Sequence, residues 1–79
     1  MIEELKTCKK AIGLKQSIKA LENETAKKLY IANDAEEKIV KNIIEMAKSK
    51  NITVNYVDSK KLLGKLCGIN VGAAVVSII

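Results

Sequence analysis

Short apolar runs that alternate with longer amphipathic segments are the feature of this sequence that most constrains its fold. Three runs, at residues 29–32, 52–57 and 73–79, are too short for core helices and consist mainly of residue types that strands favour. The segments between them carry apolar residues at helical spacing. This alternation predicts an α/β fold, in which helices cover both faces of a sheet and crossovers make neighbouring strands parallel.

The amino-terminal part of the chain predicts two helices. In residues 2–12 the apolar side chains recur at intervals of three or four: Ile2, Leu5, Cys8 and Ile12. Acidic residues come first in this segment and lysines last, which suits the helix dipole. After Gly13 a second helix is expected over residues 14–22, with Asn23 as its stop. The pattern leaves open a short strand between these two helices.

Capping signals delimit the third helix. Asp34 and Glu37 have the spacing of a capping box, which predicts a helix over residues 35–50. Asn51 suits the left-handed position that closes such a helix. Its apolar face should lie against the sheet and consists of Ile39, Val40, Ile43, Ile44 and Ala47.

The fourth helix is short and is followed by a glycine-rich loop. Asp58 or Ser59 caps its start, and Gly68 ends it. Leu63 of this helix and Val76 of the last strand are predicted to be buried. Three glycines at intervals of four indicate a close-packed helix end and a tight loop: Gly64, Gly68 and Gly72.

Length and composition exclude several classes of protein. Seventy-nine residues are enough for one domain, and we expect residues 1–79 to form it. The longest apolar run, residues 71–79, is far too short to span a bilayer. The amino terminus lacks the apolar core of a signal peptide. We therefore expect a cytoplasmic protein that has no membrane partner.

The chain offers little for catalysis. It contains no histidine, and no phosphate-loop motif is present. The adjacent acids Glu36 and Glu37 fall in the first turn of a predicted helix, where carboxylates offset its positive end. Cys8 and Cys67 are expected to be buried or partly buried thiols in a reducing cytosol, with a disulfide as the alternative. We expect neither enzymatic activity nor a cofactor or metal ion.

Lysine carries all of the positive charge, and its spacing is informative. Fourteen lysines and nine acids leave a net charge of +5. Lysines four residues apart occur on two predicted helices: Lys15 with Lys19, and Lys61 with Lys65 beside Lys60. Such pairs are either ordinary solvated faces or sites where an anion relieves the repulsion. Gln16 adds a group that can read a base edge, in the first turn of a helix whose free N–H groups favour phosphate.

Two segments resemble the L7Ae family of ribosomal proteins, which bind kink-turns in RNA. The first is Gly13-Leu-Lys-Gln-Ser-Ile-Lys19, and the second is Leu63-Gly-Lys-Leu-Cys-Gly-Ile-Asn-Val-Gly-Ala-Ala74. Their order and separation within this α/β pattern make the resemblance specific. It implies a three-layer α-β-α sandwich with a mixed sheet of about four strands, and an RNA site made of two pieces.

The first implied piece is the start of the second helix, which enters the groove at tandem sheared G·A pairs. Gly13 and Lys19 match the family pattern Gly-x-Asn-Glu-x-x-Lys. Lys15 stands where asparagine is usual and Gln16 where glutamate is usual, as in small stand-alone bacterial members. Gln16 would accept from guanine through its carbonyl oxygen, with less charge assistance than a carboxylate.

The second implied piece is the loop before the last strand, where an apolar-polar-apolar trio packs on bases flipped out of the bulge. That trio is Ile69, Asn70 and Val71 here; without the resemblance, Ile69 and Val71 read as loop residues folded back on the core. Lysines of the last helix would hold backbone phosphates: Lys60, Lys61 and Lys65. Both tyrosines fall in strands predicted to be buried, which argues against a sheet-face stacking platform.

The sequence thus favours a monomeric, non-catalytic protein that recognises kink-turns in structured RNA. Its RNA could belong to the ribosome or to another ribonucleoprotein, and the sequence leaves that choice open. The rival hypothesis is a protein-interaction module on the same fold. An apolar outer face on the third helix would favour the rival, but the side chains there are mainly charged: Glu36, Glu37, Lys38, Lys41, Glu45 and Lys48.

Overall fold

The computed structural model describes residues 4–79 and shows helices and strands in alternation. The elements in chain order are α1 Glu4–Thr7, β1 Lys10–Ile12, α2 Leu14–Glu22, β2 Lys28–Ala32, α3 Glu37–Ser49, β3 Thr53–Val57, α4 Lys60–Leu66 and β4 Val75–Ile78. The helix ends follow the sequence signals: Asn23 terminates α2, Asn51 takes a left-handed φ of 60° after α3, and Gly68 takes a φ of 81° after α4. No helix within residues 4–79 has the length and apolar character needed to cross a bilayer.

The four strands form one mixed sheet in the order β1-β4-β2-β3. β2 and β3 are parallel, whereas β4 runs antiparallel to both β1 and β2. β1, β2 and β3 therefore point the same way, and their last residues lie at the same end of the sheet as the first residues of β4. We call this the carboxyl end of the sheet, and the opposite one the amino end.

Helices cover both faces of the sheet, which confirms the three-layer α-β-α sandwich. On one face α2 and α3 bury Leu21 and Ile43 against the sheet. On the other face α1 and α4 bury Leu5 and Leu63. Ile43, Leu63 and Val76 each have an exposed fraction of 0%, as the sequence predicts. The core is thus two apolar layers separated by the sheet.

The prediction of a continuous helix over residues 2–12 is wrong. Helix α1 ends at Thr7, and Lys10–Ile12 instead form strand β1; Ile2 lies outside the described residues. The backbone of β1 pairs with β4, with Lys10 opposite Ile78 and Ile12 opposite Val76. Backbone hydrogen bonds of residues 10–12 are therefore made to a strand that lies more than 60 residues away in sequence. The short strand that the pattern left open is the correct alternative.

The capping box predicted at the start of α3 is also absent. Glu36 is the residue before the helix, and its side chain makes no capping bond. The Asp34 carboxylate instead accepts a hydrogen bond from the backbone N–H of Lys60, at 2.7 Å. Ser59 caps α4, the helix that Lys60 begins, because its Oγ accepts a hydrogen bond from the N–H of Leu62 at 3.0 Å. Asp34 therefore joins the β2–α3 loop to the start of α4.

A polar cluster fastens α1 to the sheet. Oε2 of Glu4 accepts hydrogen bonds from the hydroxyl of Tyr30, at 2.5 Å, and from Nζ of Lys28, at 3.2 Å. The bond from Tyr30 is the main reason that the pKa of Glu4 is lowered. Burial, together with Glu4, raises the pKa of Tyr30 to about 12. Both shifts favour the charged carboxylate and the neutral phenol in the folded state.

Two large side chains are more exposed than the sequence predicts. Tyr56 was expected in a buried strand, but β3 is an edge strand and 57% of this side chain is exposed. Ile39 was expected on the buried face of α3, and 43% of it is exposed. The charged residues of the outer face are exposed as expected.

Candidate nucleic-acid interface

The turn between β1 and α2 requires glycine. Gly13 has φ 103° and ψ 160°, a conformation that residues with a Cβ rarely adopt. Its N–H donates to the carbonyl of Val75 at 2.8 Å, and its carbonyl accepts from the N–H of Ser17 at 3.0 Å. Gly13 offers no side chain to cap α2, so the first N–H groups of this nine-residue helix point outward with their partial positive charge.

The first turns of α2 present polar side chains to solvent. Lys15, Gln16 and Lys19 are all exposed, and Lys15 and Lys19 lie one turn apart. The opposite side of the helix buries Ala20 and Leu21 against the sheet. The exposed side therefore combines two ammonium groups, one amide and the free N–H groups of the helix start. This set of donors suits phosphate oxygens and base edges.

Two buried serines fix α2 to the sheet, a role that was not predicted from the sequence. Ser17 and Ser77 each have an exposed fraction of 0%. The hydroxyl of Ser77 donates to that of Ser17 at 3.3 Å, and Ser17 donates to the carbonyl of Ala11 at 3.3 Å. This chain of hydrogen bonds connects β4, α2 and β1. Its signal in the sequence is a single polar residue inside the apolar run 73–79.

The loop between α4 and β4 lies directly against α4. The N–H of Ile69 donates to the carbonyl of Gly64 at 3.1 Å, and that of Ala73 donates to the carbonyl of Lys60 at 3.0 Å. A Cβ added to Gly64 would lie 2.0 Å from the carbonyl oxygen of Val71, so only glycine permits this approach. The structure therefore holds the loop in place with backbone contacts.

The three predicted contact residues of this loop have different surroundings. Ile69 is half-buried and packs against the core beneath α1 and α4. Asn70 is exposed, and Val71 has 70% of its side chain exposed. Val71 is one of three large apolar side chains within residues 4–79 that the protein leaves exposed. Asn70 and Val71 are thus free to meet a ligand, whereas Ile69 mainly supports the loop.

The start of α2 and this loop meet at the carboxyl end of the sheet. The bond from Gly13 to Val75 connects the residue before α2 with the first residue of β4, a few residues after Val71. Sequence segments more than 50 residues apart are thereby joined at one surface. The fold thus brings Gly13 and the start of α2 to the end of the sheet at which the loop enters β4.

The lysines of α4 divide into two groups. Lys60 begins the helix and touches the loop, since a Cβ added to Gly72 would lie 3.2 Å from its Cβ. Lys61 and Lys65 are exposed one turn apart and point away from the sheet. Within residues 4–79, neither of these two forms a hydrogen bond or ion pair with α2. The structure therefore places Lys60 beside the loop and leaves Lys61 and Lys65 on an outer face.

Neither cysteine belongs to this surface. Both are free thiols, with Cys67 buried as expected and Cys8 exposed contrary to expectation. Burial raises the pKa of Cys67, an effect that nearby Lys10 partly opposes. Residues 4–79 contain no cluster of three His, Cys, Asp or Glu side chains that could hold a metal ion. The polar groups of the interface are thus those of α2 and the loop.

Comparison with known sequences identifies relatives along nearly the whole chain. Residues 3–79 match the model of the Ribosomal protein L7Ae/L30e/S12e/Gadd45 family. An RNA-binding protein of Halalkalibacterium halodurans is 52% identical over 67 residues, which are 85% of this chain and 82% of the relative. RNA-binding protein YbxF of Geobacillus stearothermophilus is 43% identical over 75 residues, covering 95% of this chain and 92% of the relative.

A solved structure shares the fold. A protein of unknown function from Bacillus halodurans superposes with a TM-score of 0.87, covering 98% of this chain and 81% of the other. The two sequences are 21% identical, so this likeness concerns the arrangement of helices and strands alone.

Proposed function

The chain belongs to the Ribosomal protein L7Ae/L30e/S12e/Gadd45 family, and we propose that residues 1–79 form a single RNA-binding domain that recognises kink-turns. The two bacterial relatives described above are both named RNA-binding proteins, which supports RNA binding, and neither name describes an enzyme. The protein acts without catalysis, as a monomer in the cytosol. Its target is structured RNA of the ribosome or of another ribonucleoprotein.

The observation that carries this proposal is that the start of α2 and the end of the α4–β4 loop lie at the same end of the sheet, where Gly13 bonds to Val75. A kink-turn offers an opened groove at tandem sheared G·A pairs and a short bulge beside it. The first turn of α2 supplies Gln16 for guanine edges, with Lys15 and Lys19 for edges or nearby phosphates. The exposed Val71 and Asn70 cover the bulged nucleotides. One rigid surface can therefore contact both features at once.

The remaining predicted residues have supporting roles in this proposal. Gly13 lets the backbone approach the RNA closely, because no Cβ stands at the turn. Ile69 supports the loop through its contacts with the core. Lys60 meets phosphate beside the loop, and Lys61 and Lys65 add charge along the outer face of α4.

Affinity measurements on two matched RNAs test the proposal. One contains a kink-turn, and in the other Watson–Crick pairs replace the two sheared G·A pairs while the number of phosphates stays the same. We expect at least about tenfold weaker binding to the second RNA, because each lost base contact costs about 1–3 kcal/mol. Equal affinity for both RNAs would contradict kink-turn recognition.

Two lysine variants locate the contact. Lys19→Ala should weaken binding of the kink-turn RNA more than Lys50→Ala, since Lys50 follows α3 at the far end of the sheet. Both variants lose the same charge and differ only in position. Equal losses for the two variants, with the same salt dependence, would indicate diffuse attraction to RNA and contradict the site on α2.

A protein-interaction role is the second candidate. Tyr56 favours it, because this large side chain is exposed on an edge strand, and Ile39 adds a second exposed apolar side chain on α3. This function would predict that Ile39→Ser with Tyr56→Ser abolishes capture of a protein partner while RNA affinity stays unchanged. Loss of RNA affinity in that double variant would instead assign these residues to the RNA surface.

A further inference from the structure

Four lysines gather at the amino end of the sheet, opposite the proposed RNA site. Lys10 of β1 and Lys28 of β2 both lie opposite Ile78 of β4, one on each side. Their Cα atoms are therefore about 10 Å apart, two strand spacings, and both side chains leave the same face of the sheet. Two separate segments of the sequence thus place lysines at matching positions of the sheet.

The two residues before these strands extend the group. Lys9 and Lys27 are exposed, and backbone hydrogen bonds hold both next to β4. The N–H of Lys27 donates to the carbonyl of Ile78 at 2.6 Å, and the carbonyl of Lys9 accepts from the N–H of Ile79 at 3.0 Å. We call Lys9, Lys10, Lys27 and Lys28 the amino-end lysines.

Most of this charge has no partner within the described part of the chain. Lys28 pairs with Glu4 at 3.2 Å. No carboxylate within residues 4–79 lies in ion-pair distance of Lys9, Lys10 or Lys27. Four lysines at one end of the sheet raise the positive potential there, which an external anion would offset.

We propose that the amino-end lysines form a second phosphate-binding surface, which holds another RNA segment while the α2 surface holds the kink-turn. This inference rests on the proposed function. The two surfaces lie at opposite ends of a sheet whose strand β2 has five residues, about 17 Å in length. Ligands at the two ends can therefore be bound at the same time.

RNA backbone fits this surface better than a lipid bilayer does. Peripheral membrane surfaces insert apolar side chains beside their basic residues. The exposed large apolar residues within residues 4–79 are Ile39, Tyr56 and Val71, and none belongs to β1, β2 or their flanking residues. Lysines without exposed aromatic neighbours are typical of contacts to phosphates, which do not depend on base sequence.

A ternary binding experiment tests the second surface. The protein is first saturated with a fluorescent kink-turn RNA, and a plain RNA duplex carrying a different dye is then titrated in. The variant Lys9→Gln/Lys10→Gln/Lys27→Gln removes three charges and leaves the Lys28–Glu4 pair intact. The control Lys38→Gln/Lys41→Gln/Lys48→Gln removes three charges from the exposed face of α3.

We expect the wild-type complex to bind the duplex without releasing the kink-turn RNA. The amino-end variant should lose roughly tenfold or more in duplex affinity, and the α3 control less than about twofold. Equal losses in both variants, or no capture of the duplex, would contradict a second surface. Sedimentation with anionic vesicles that the amino-end variant alone abolishes, without any change in duplex affinity, would also contradict it. A protein that shows no kink-turn preference in the first step would contradict the proposed function instead.

Discussion

At the scale of single residues, the serine pair shows how a buried polar contact can position a binding surface. Ser17 donates to the carbonyl of Ala11 and accepts from Ser77, and both hydroxyls are inaccessible to solvent. Replacing Ser17 with alanine leaves the hydroxyl of Ser77 buried without this partner. A buried group left unsatisfied costs about 1–3 kcal/mol.

We therefore expect Ser17→Ala to lower the free energy of unfolding by about 1–3 kcal/mol in urea titrations. The double variant Ser17→Ala/Ser77→Ala should recover part of this loss, because neither hydroxyl is then left unpaired. Strictly additive effects of the two substitutions would mean that the serines act independently, contrary to the observed hydrogen bond.

The raised pKa of Tyr30 predicts that the protein loses stability at alkaline pH. Its pKa is about 12 in the folded protein, against an ordinary value of 10.0. Between these values the folded state holds the phenolic proton more tightly than the unfolded state does, so stability falls as the pH rises through this range. Unfolding measured from pH 9 to 12 should show this decline in the wild type, and Tyr30→Phe should lack its contribution. Identical pH dependence in both proteins would contradict the assignment.

Substitution of Gly64 tests how closely the α4–β4 loop packs against α4. A Cβ at this position would lie 2.0 Å from the carbonyl oxygen of Val71, so the loop must move in Gly64→Ala. We expect a loss of about 1–3 kcal/mol in stability, in spite of alanine's better helix propensity. Backbone chemical shifts should change around residues 69–73. The neighbouring Lys65→Ala, at an exposed position, should leave both stability and loop shifts unchanged.

At the scale of secondary-structure elements, substitutions of Ile39 and Ile43 show which face of α3 packs against the core. Ile43 has an exposed fraction of 0%, whereas Ile39 is 43% exposed. Ile43→Ala should therefore destabilise the protein by about 2–5 kcal/mol, and Ile39→Ala by clearly less. Both substitutions remove the same atoms from the same helix. Equal melting temperatures for the two variants would mean that the helix is rotated from the orientation described.

The elements that the sequence predicts well are those with local signals. The start of α2 and the ends of α3 and α4 are each determined by residues within a turn of the boundary, such as Asn51 and Gly68. Strand β1 could be offered only as an alternative, because its three residues gain their structure from pairing with β4, far away in sequence. The same cause explains Asp34, whose partner Lys60 is 26 residues away.

The candidate site divides in the same way. Gly13, Lys15, Gln16 and Lys19 can be predicted, because they follow one another in a single turn and helix. That the start of α2 and the α4–β4 loop lie at the same end of the sheet follows from the bond between Gly13 and Val75, which depends on the fold. The exposure of Tyr56 depends on the position of β3 at the sheet edge, and strand order cannot be deduced from residue patterns alone.

At the scale of the whole molecule, positive charge lies at both ends of the sheet. The carboxyl end carries the polar start of α2 and the loop with Val71, the surface that we propose for recognition of RNA shape. The amino end carries lysines of β1 and β2, which have no exposed large apolar neighbours within residues 4–79. In our proposal the net charge of +5 serves two kinds of contact, one selective for shape and one for phosphate in general.

Fluorescence transfer between dyes on the two arms of a kink-turn RNA tests the central claim most directly. A surface that fits only the kinked form must shift a flexible RNA toward that form as it binds. We predict that titration with the protein raises transfer efficiency for the kink-turn RNA and leaves it unchanged for the RNA with Watson–Crick pairs in place of the sheared pairs. Binding of the kink-turn RNA without approach of its arms would contradict kink-turn recognition by this protein.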